Sequence, residues 1–135
     1  MQRVFVDTSA WFAFVNRADR EHQAVASVLS SFRGRLVTSN AVFGETVTLC
    51  LHRLGHETAR AVGETLRGSR QVDLVCLEPD DEAEAWRLFC RPAEKLCSFT
   101  DCSSFALMRR LRLETAVALD EGFAHEGFTC LPESA

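Results

Sequence analysis

Four carboxylates stand where soluble chains usually place apolar side chains. Asp7 ends the run Val4-Phe5-Val6, and Glu45 lies inside the apolar stretch 41–51. Asp101 precedes Phe105-Ala106-Leu107-Met108, and Asp120 ends Ala116-Val117-Ala118-Leu119. A charged carboxylate taken out of water is costly unless something compensates it. One shared divalent cation is the simplest common compensation. Hard cations favour carboxylate oxygens, and Mg²⁺ or Mn²⁺ takes a few of them together with water. Such an ion acidifies water and clamps a phosphodiester during in-line attack. The acids then hold metal, orient water and accept its proton.

Each acid also has a bland role. Asp7 suits the cap of a following helix, and Asp101 suits a helix N-terminus. Asp120 can open a turn with Glu121-Gly122. Glu45 can be a partly buried, satisfied glutamate. On a helix, Val42, Glu45, Leu49 and His52 share a face at spacings of three and four, so Glu45 is expected to interrupt an inward stripe.

The elements that must position these acids are short. Residues 2–7, 36–38, 72–77, 115–119 and 128–131 read as strands. Thr8 or Ser9 is expected to cap a helix through Phe14, Asp19 a second one, and Asn40 a helix running to about Leu54 with Gly55 as its stop. Residues 56–67 form another helix. Pro79 opens the next, which ends before Pro92. Residues 92–99 read as a loop, and Thr100 as the cap of a helix from Asp101 to Arg112. Strands alternating with helices predict an α/β sandwich with a mostly parallel sheet. In such sheets ligands sit beyond the carboxyl ends of the strands, which is where Asp7 and Asp120 fall.

The chain has 135 residues and is 47% hydrophobic, enough for one compact domain, taken here as 1–135. No apolar run reaches membrane-spanning length, and the start meets Asp7 too soon for a signal peptide. A cytoplasmic location is expected. The six cysteines, Cys50, Cys76, Cys90, Cys97, Cys102 and Cys130, contain no CxxC pair and read as reduced thiols. Net charge is −4, with no global basic signature for nucleic acid. Lys95 is the one lysine among 15 basic residues. Arginine is the better residue for bidentate phosphate contact.

In order and at this spacing, four segments resemble the motifs of PIN-domain proteins. They are Val4-Phe5-Val6-Asp7-Thr8-Ser9-Ala10; Thr38 to Glu45; Ser98-Phe99-Thr100-Asp101-Cys102-Ser103-Ser104; and Ala118-Leu119-Asp120-Glu121-Gly122-Phe123. The third is the most specific. The length is similar to that of the single-domain toxins of bacterial toxin–antitoxin pairs (VapC-like). The resemblance implies a three-layer α/β/α fold and Mg²⁺- or Mn²⁺-dependent endoribonuclease activity. It implies Asp7, Glu45, Asp101 and Asp120 as catalytic and metal-binding acids, with Thr8, Ser9, Thr100 and Ser103 supporting them by hydrogen bonds. It also implies an RNA substrate, a cognate antitoxin and a homodimer. Residues 91–97 depart from the pattern by carrying Pro92 and Cys97, which alters the loop beside the site.

Phosphate contacts are expected from Arg17, Arg20, Lys95, Arg109, Arg110 and Arg112, and base stacking from Trp11, Phe12 or Phe14. Core or dimer-interface packing is the competing role for those aromatics. His52 shares Glu45's expected face. Two other functions fit the same residues less well. A phosphatase with Asp7 as nucleophile calls for an acid two residues on, where Ser9 stands. A catalytically silent PIN-like protein that only binds RNA or a partner has no need of all four acids.

Overall fold

The computed structural model describes residues 2–92 and 96–133. Five strands form one sheet: β1 (Gln2–Val6), β2 (Gly34–Ser39), β3 (Val72–Val75), β4 (Thr115–Val117) and β5 (Thr129–Leu131). Their order is β3-β2-β1-β4-β5, and every pairing is parallel. The central strand β1 carries Val4, Phe5 and Val6, all buried, as a strand covered on both faces requires.

The connections explain where a cleft must open. After β1 the chain runs through α1 (Thr8–Val15) and α2 (His22–Ser31) to β2, then through α3 (Asn40–Leu54) and α4 (His56–Gly68) to β3. It next crosses back through α5 (Pro79–Cys90) and α6 (Phe99–Leu111) to β4, on the other side of β1, and reaches β5 through α7 (Glu121–His125). Right-handed crossovers therefore put α1 to α4 on one face and α5 to α7 on the other. Contacts agree: α1 packs on α2 and α3, α3 on α4, and α6 on α5 and α7. The order reverses between β1 and β4, and that switch point is the natural crevice of an open parallel sheet.

Every expected helix and strand is present, with several caps shifted by a residue or two. Asp7, not Thr8 or Ser9, caps α1 by accepting from Ser9 N. Ser39 rather than Asn40 caps α3, and Asn40 instead accepts from Leu77 N. Ser98, not Thr100, caps α6. Asp19 caps nothing directly; its carboxylate accepts from Glu21 N one turn before α2. For α1, α3 and α6 the hydroxyl or carboxylate at the last extended residue reaches the orphan N–H groups first. The short helix α7 replaces the expected turn at Glu121-Gly122.

Candidate active site

Asp7 and Asp120 stand side by side in the fold. Asp7 leaves β1 and Asp120 follows β4; Asp7 N donates to Val117 O at 3.0 Å, which stitches the two strand ends together. Ser9 completes the join. Its hydroxyl donates to Asp7 Oδ2 at 2.8 Å and accepts from Leu119 N at 3.0 Å. Asp120 caps α7, its Oδ1 accepting from Gly122 N at 2.8 Å. Gly122 packs tightly there. A Cβ would lie 3.0 Å from Cys97 Sγ and 3.3 Å from Asp120 Oδ1.

Asp101 approaches from the opposite layer. It is the third residue of α6, and Ser98 N donates to its Oδ2 at 3.2 Å while its own N donates to Ser98 Oγ at 3.0 Å. This capping box fixes both the helix start and the carboxylate. Glu45 stands in the second turn of α3, exposed, in an open cleft of about 470 Å³ shared with Thr48, His52 and Thr100. The inward stripe of α3 is Val42, Thr46 and Cys50. The expectation that Glu45 interrupts that stripe is therefore wrong, because the core face of α3 itself holds a threonine. His52 does share Glu45's face.

The carboxylates act on one another. Asp7 is 3% exposed, and burial, together with repulsion from Asp101, pushes its pKa up to about 6 against the backbone and Ser9 hydrogen bonds that hold it down. Burial likewise raises Asp101, and the charges of Asp120 and Glu45 raise it further. All four acids therefore share one electrostatic neighbourhood with Asp101 at its centre. Asp7 Oδ1 is buried and accepts no hydrogen bond. That orphaned oxygen is what a hard cation would satisfy. Among the described residues no three His, Cys, Asp or Glu side chains converge as a ready-made cage.

The expected supporters divide. Ser9 bonds an acid directly. The Thr8 hydroxyl is buried without a partner, and Thr8 helps Asp7 only through its backbone. Ser103 donates its hydroxyl to Thr100 O at 2.6 Å rather than to an acid, and Thr100 offers its carbonyl to Ser103 and Ser104. Ser98 and Gly122 were the missed members. The serine three residues before Asp101 was the available signal, since that spacing is a capping box.

The expected phosphate contacts lie elsewhere. Arg109, Arg110 and Arg112 stand at the far end of α6, about 16 Å from Asp101 at 1.5 Å per residue for the last of them. Arg109 pairs with Glu126, and Arg110 with Asp81 and Glu78. Arg17 and Arg20 follow the far end of α1, and Lys95 lies outside the described residues. Trp11 is core, its Nε1 donating to Thr38 Oγ1 at 3.2 Å. Phe12 packs against the core. Phe14 lines a separate apolar groove of about 480 Å³ between α1, α2 and α4, with Leu29, Ala61, Thr65, Leu66 and Val72.

The sequence matches the PIN domain over residues 4–128. It is 38% identical over 125 residues to the 23S rRNA-specific endonuclease VapC20 of Mycobacterium tuberculosis, covering 93% of this chain and 95% of that protein. Ribonuclease VapC26 of the same organism is 28% identical over 117 residues, 87% of this chain and 86% of that one. The crystal structure of M. tuberculosis VapC20, a sarcin–ricin-loop-cleaving toxin, superposes with a TM-score of 0.89 at 37% identity, covering 93% and 96% of the two chains. VapBC2 from Rickettsia felis, crystallised with a promoter DNA fragment, shares the fold at a TM-score of 0.70 and 9% identity, over 96% of this chain and 97% of that one.

Proposed function

Because this chain belongs to the PIN-domain family, we propose that it is a divalent-metal-dependent endoribonuclease, the toxin of a toxin–antitoxin pair, acting as one domain in the cytoplasm. The observation that carries the reading is the electrostatic coupling of Asp7, Asp101, Glu45 and Asp120 at the sheet's switch point, with Asp7 Oδ1 unbonded. Asp7 and Asp101 are the holding pair, being buried and fixed by Ser9 and Ser98. Glu45 guards the open rim. Asp120 spends Oδ1 on Gly122 N and keeps its other oxygen to orient water. Bound by these acids, Mg²⁺ or Mn²⁺ supplies Lewis-acid assistance to phosphodiester hydrolysis. The substrate class is ribosomal RNA, in the exposed single-stranded part of a stem-loop where bases are open to recognition. The likeness to a 23S rRNA-specific enzyme over nearly the full chain supports that choice.

The apolar groove between α1, α2 and α4 supports the antitoxin reading, since it offers an amphipathic partner helix an unfilled surface beside the cleft-forming layer. A homodimer is part of the same reading. The test is cleavage of 23S rRNA fragments with Mg²⁺ or Mn²⁺, comparing wild type with Asp7→Asn and Asp101→Asn. Each substitution is expected to lower cleavage more than about a hundredfold, beyond the usual cost of losing a mere supporting group. Metal-dependent cutting that survives both substitutions would overturn the site.

A further inference from the structure

Two cysteines bracket the capping box that holds Asp101. Ser98 is the N-cap of α6, so Cys97 is the residue just before the cap and Cys102 is the fourth of the helix. Side chains at those two positions meet when a helix start is stapled, normally through an apolar pair. Here thiols hold those two positions, both reduced, with Cys97 half-buried and Cys102 buried. Both line one small cavity of about 130 Å³ where α5, α6 and α7 meet, beside Leu88, Phe105 and His125. The absent side chain of Gly122 makes room for the Cys97 sulfur.

We propose that Cys97 and Cys102 close into a reversible disulfide that loosens the hold on Asp101. The oxidant is a low-molecular-weight disulfide. The more accessible Cys97 attacks it, forming a mixed disulfide and releasing one thiol. Cys102 then attacks Cys97 Sγ, forming the internal S–S bond and releasing the second thiol. The two cysteines lose two hydrogens, and one disulfide molecule is reduced to two thiols. The new bond is about 2.05 Å long, much shorter than any contact between two thiols. Closing it draws Cys97 and the adjoining Ser98 toward the body of α6. Ser98 is both donor to and acceptor from Asp101. Its displacement releases the carboxylate from the orientation the cleft needs.

The experiment uses the full chain with the exposed Cys76 and Cys90 changed to serine, which removes the simplest routes to crosslinked dimers. It is incubated with glutathione disulfide, and its peptides are mapped by mass after alkylation. The expected map joins Cys97 to Cys102 with loss of two hydrogens. Mn²⁺ affinity, followed by electron paramagnetic resonance, and RNA cleavage are each expected to fall about tenfold, as when a supporting partner is lost. Both recover with dithiothreitol, and Cys97→Ser is indifferent to the oxidant. The cleavage arm rests on the ribonuclease reading, whereas the mapping and Mn²⁺ arms need no RNA and separate the two failures. Alkylated Cys97 and Cys102 after oxidation would overturn the proposal. So would a mapped disulfide with unchanged Mn²⁺ affinity.

Discussion

Ser9 serves two masters, the carboxylate that leaves β1 and the backbone that leaves β4. Ser9→Ala is expected to slow RNA cleavage about 10–100-fold, the usual cost of removing a group that orients a metal-binding side chain. Steady-state cleavage rates at saturating Mn²⁺ measure it. Asp7 carries a stability cost of its own. Its folded pKa, about 6, stands above the ordinary 3.8. Its contribution to stability is therefore fully present below pH 4 and lost as pH rises through 6. At pH 8, without divalent metal, Asp7→Asn is expected to stabilise the fold by up to about 3 kcal/mol, with the gain vanishing near pH 4. Urea unfolding at the two pH values decides this. Asp7 was legible because an acid ending a buried strand is conspicuous. Glu45 was harder: α3 has two stripes of mixed polarity, and the buried one contains Thr46 at the same spacing that suggested the wrong face.

At the scale of elements, α5 and α6 are tied by one buried carboxylate. Asp81 accepts from Glu78 N at the start of α5 and takes two bonds from Arg110 near the end of α6. Arg110 holds Asp81 below the usual carboxylate range. Because the Arg110 side chain is 36% exposed, solvent screens part of the attraction. Asp81→Ala is expected to cost about 2 kcal/mol, below the range for a fully buried pair, and Arg110→Ala at least as much, because it leaves the buried Asp81 carboxylate unpaired, as read by urea midpoints. On the opposite layer, Ala61→Glu on the exposed side of α4 is expected to abolish capture of the cognate antitoxin in a pull-down while RNA cleavage persists. Parallel order and the alternation of strands with helices could be read from periodicity. The five-residue α7 could not, since it is too short to show a helical period. Nor could the distance of Arg109 to Arg112 from the site be read from their nearness to Asp101 in sequence, because a helix carries its two ends apart.

For the whole molecule, charge is unevenly spent. Setting aside the four site acids leaves 15 acidic residues against 15 basic ones. The cleft is thus negative within a nearly neutral body, and RNA meets repulsion there unless a cation intervenes. Without divalent metal, Asp101→Asn is expected to bind RNA several-fold tighter than wild type, by relief of like charge at about the level of one surface interaction; filter binding with EDTA tests it. The order of the strands has a consequence in time as well. The bond between Leu119 and Ser9 joins residues 110 apart in the chain, and the strand that seats Asp120 pairs with the very first one. A ribosome must synthesise the chain as far as Leu119 before the two walls of the cleft can meet. A chain released short of that point, or still tethered to the machine that makes it, has no assembled cleft with which to cut RNA.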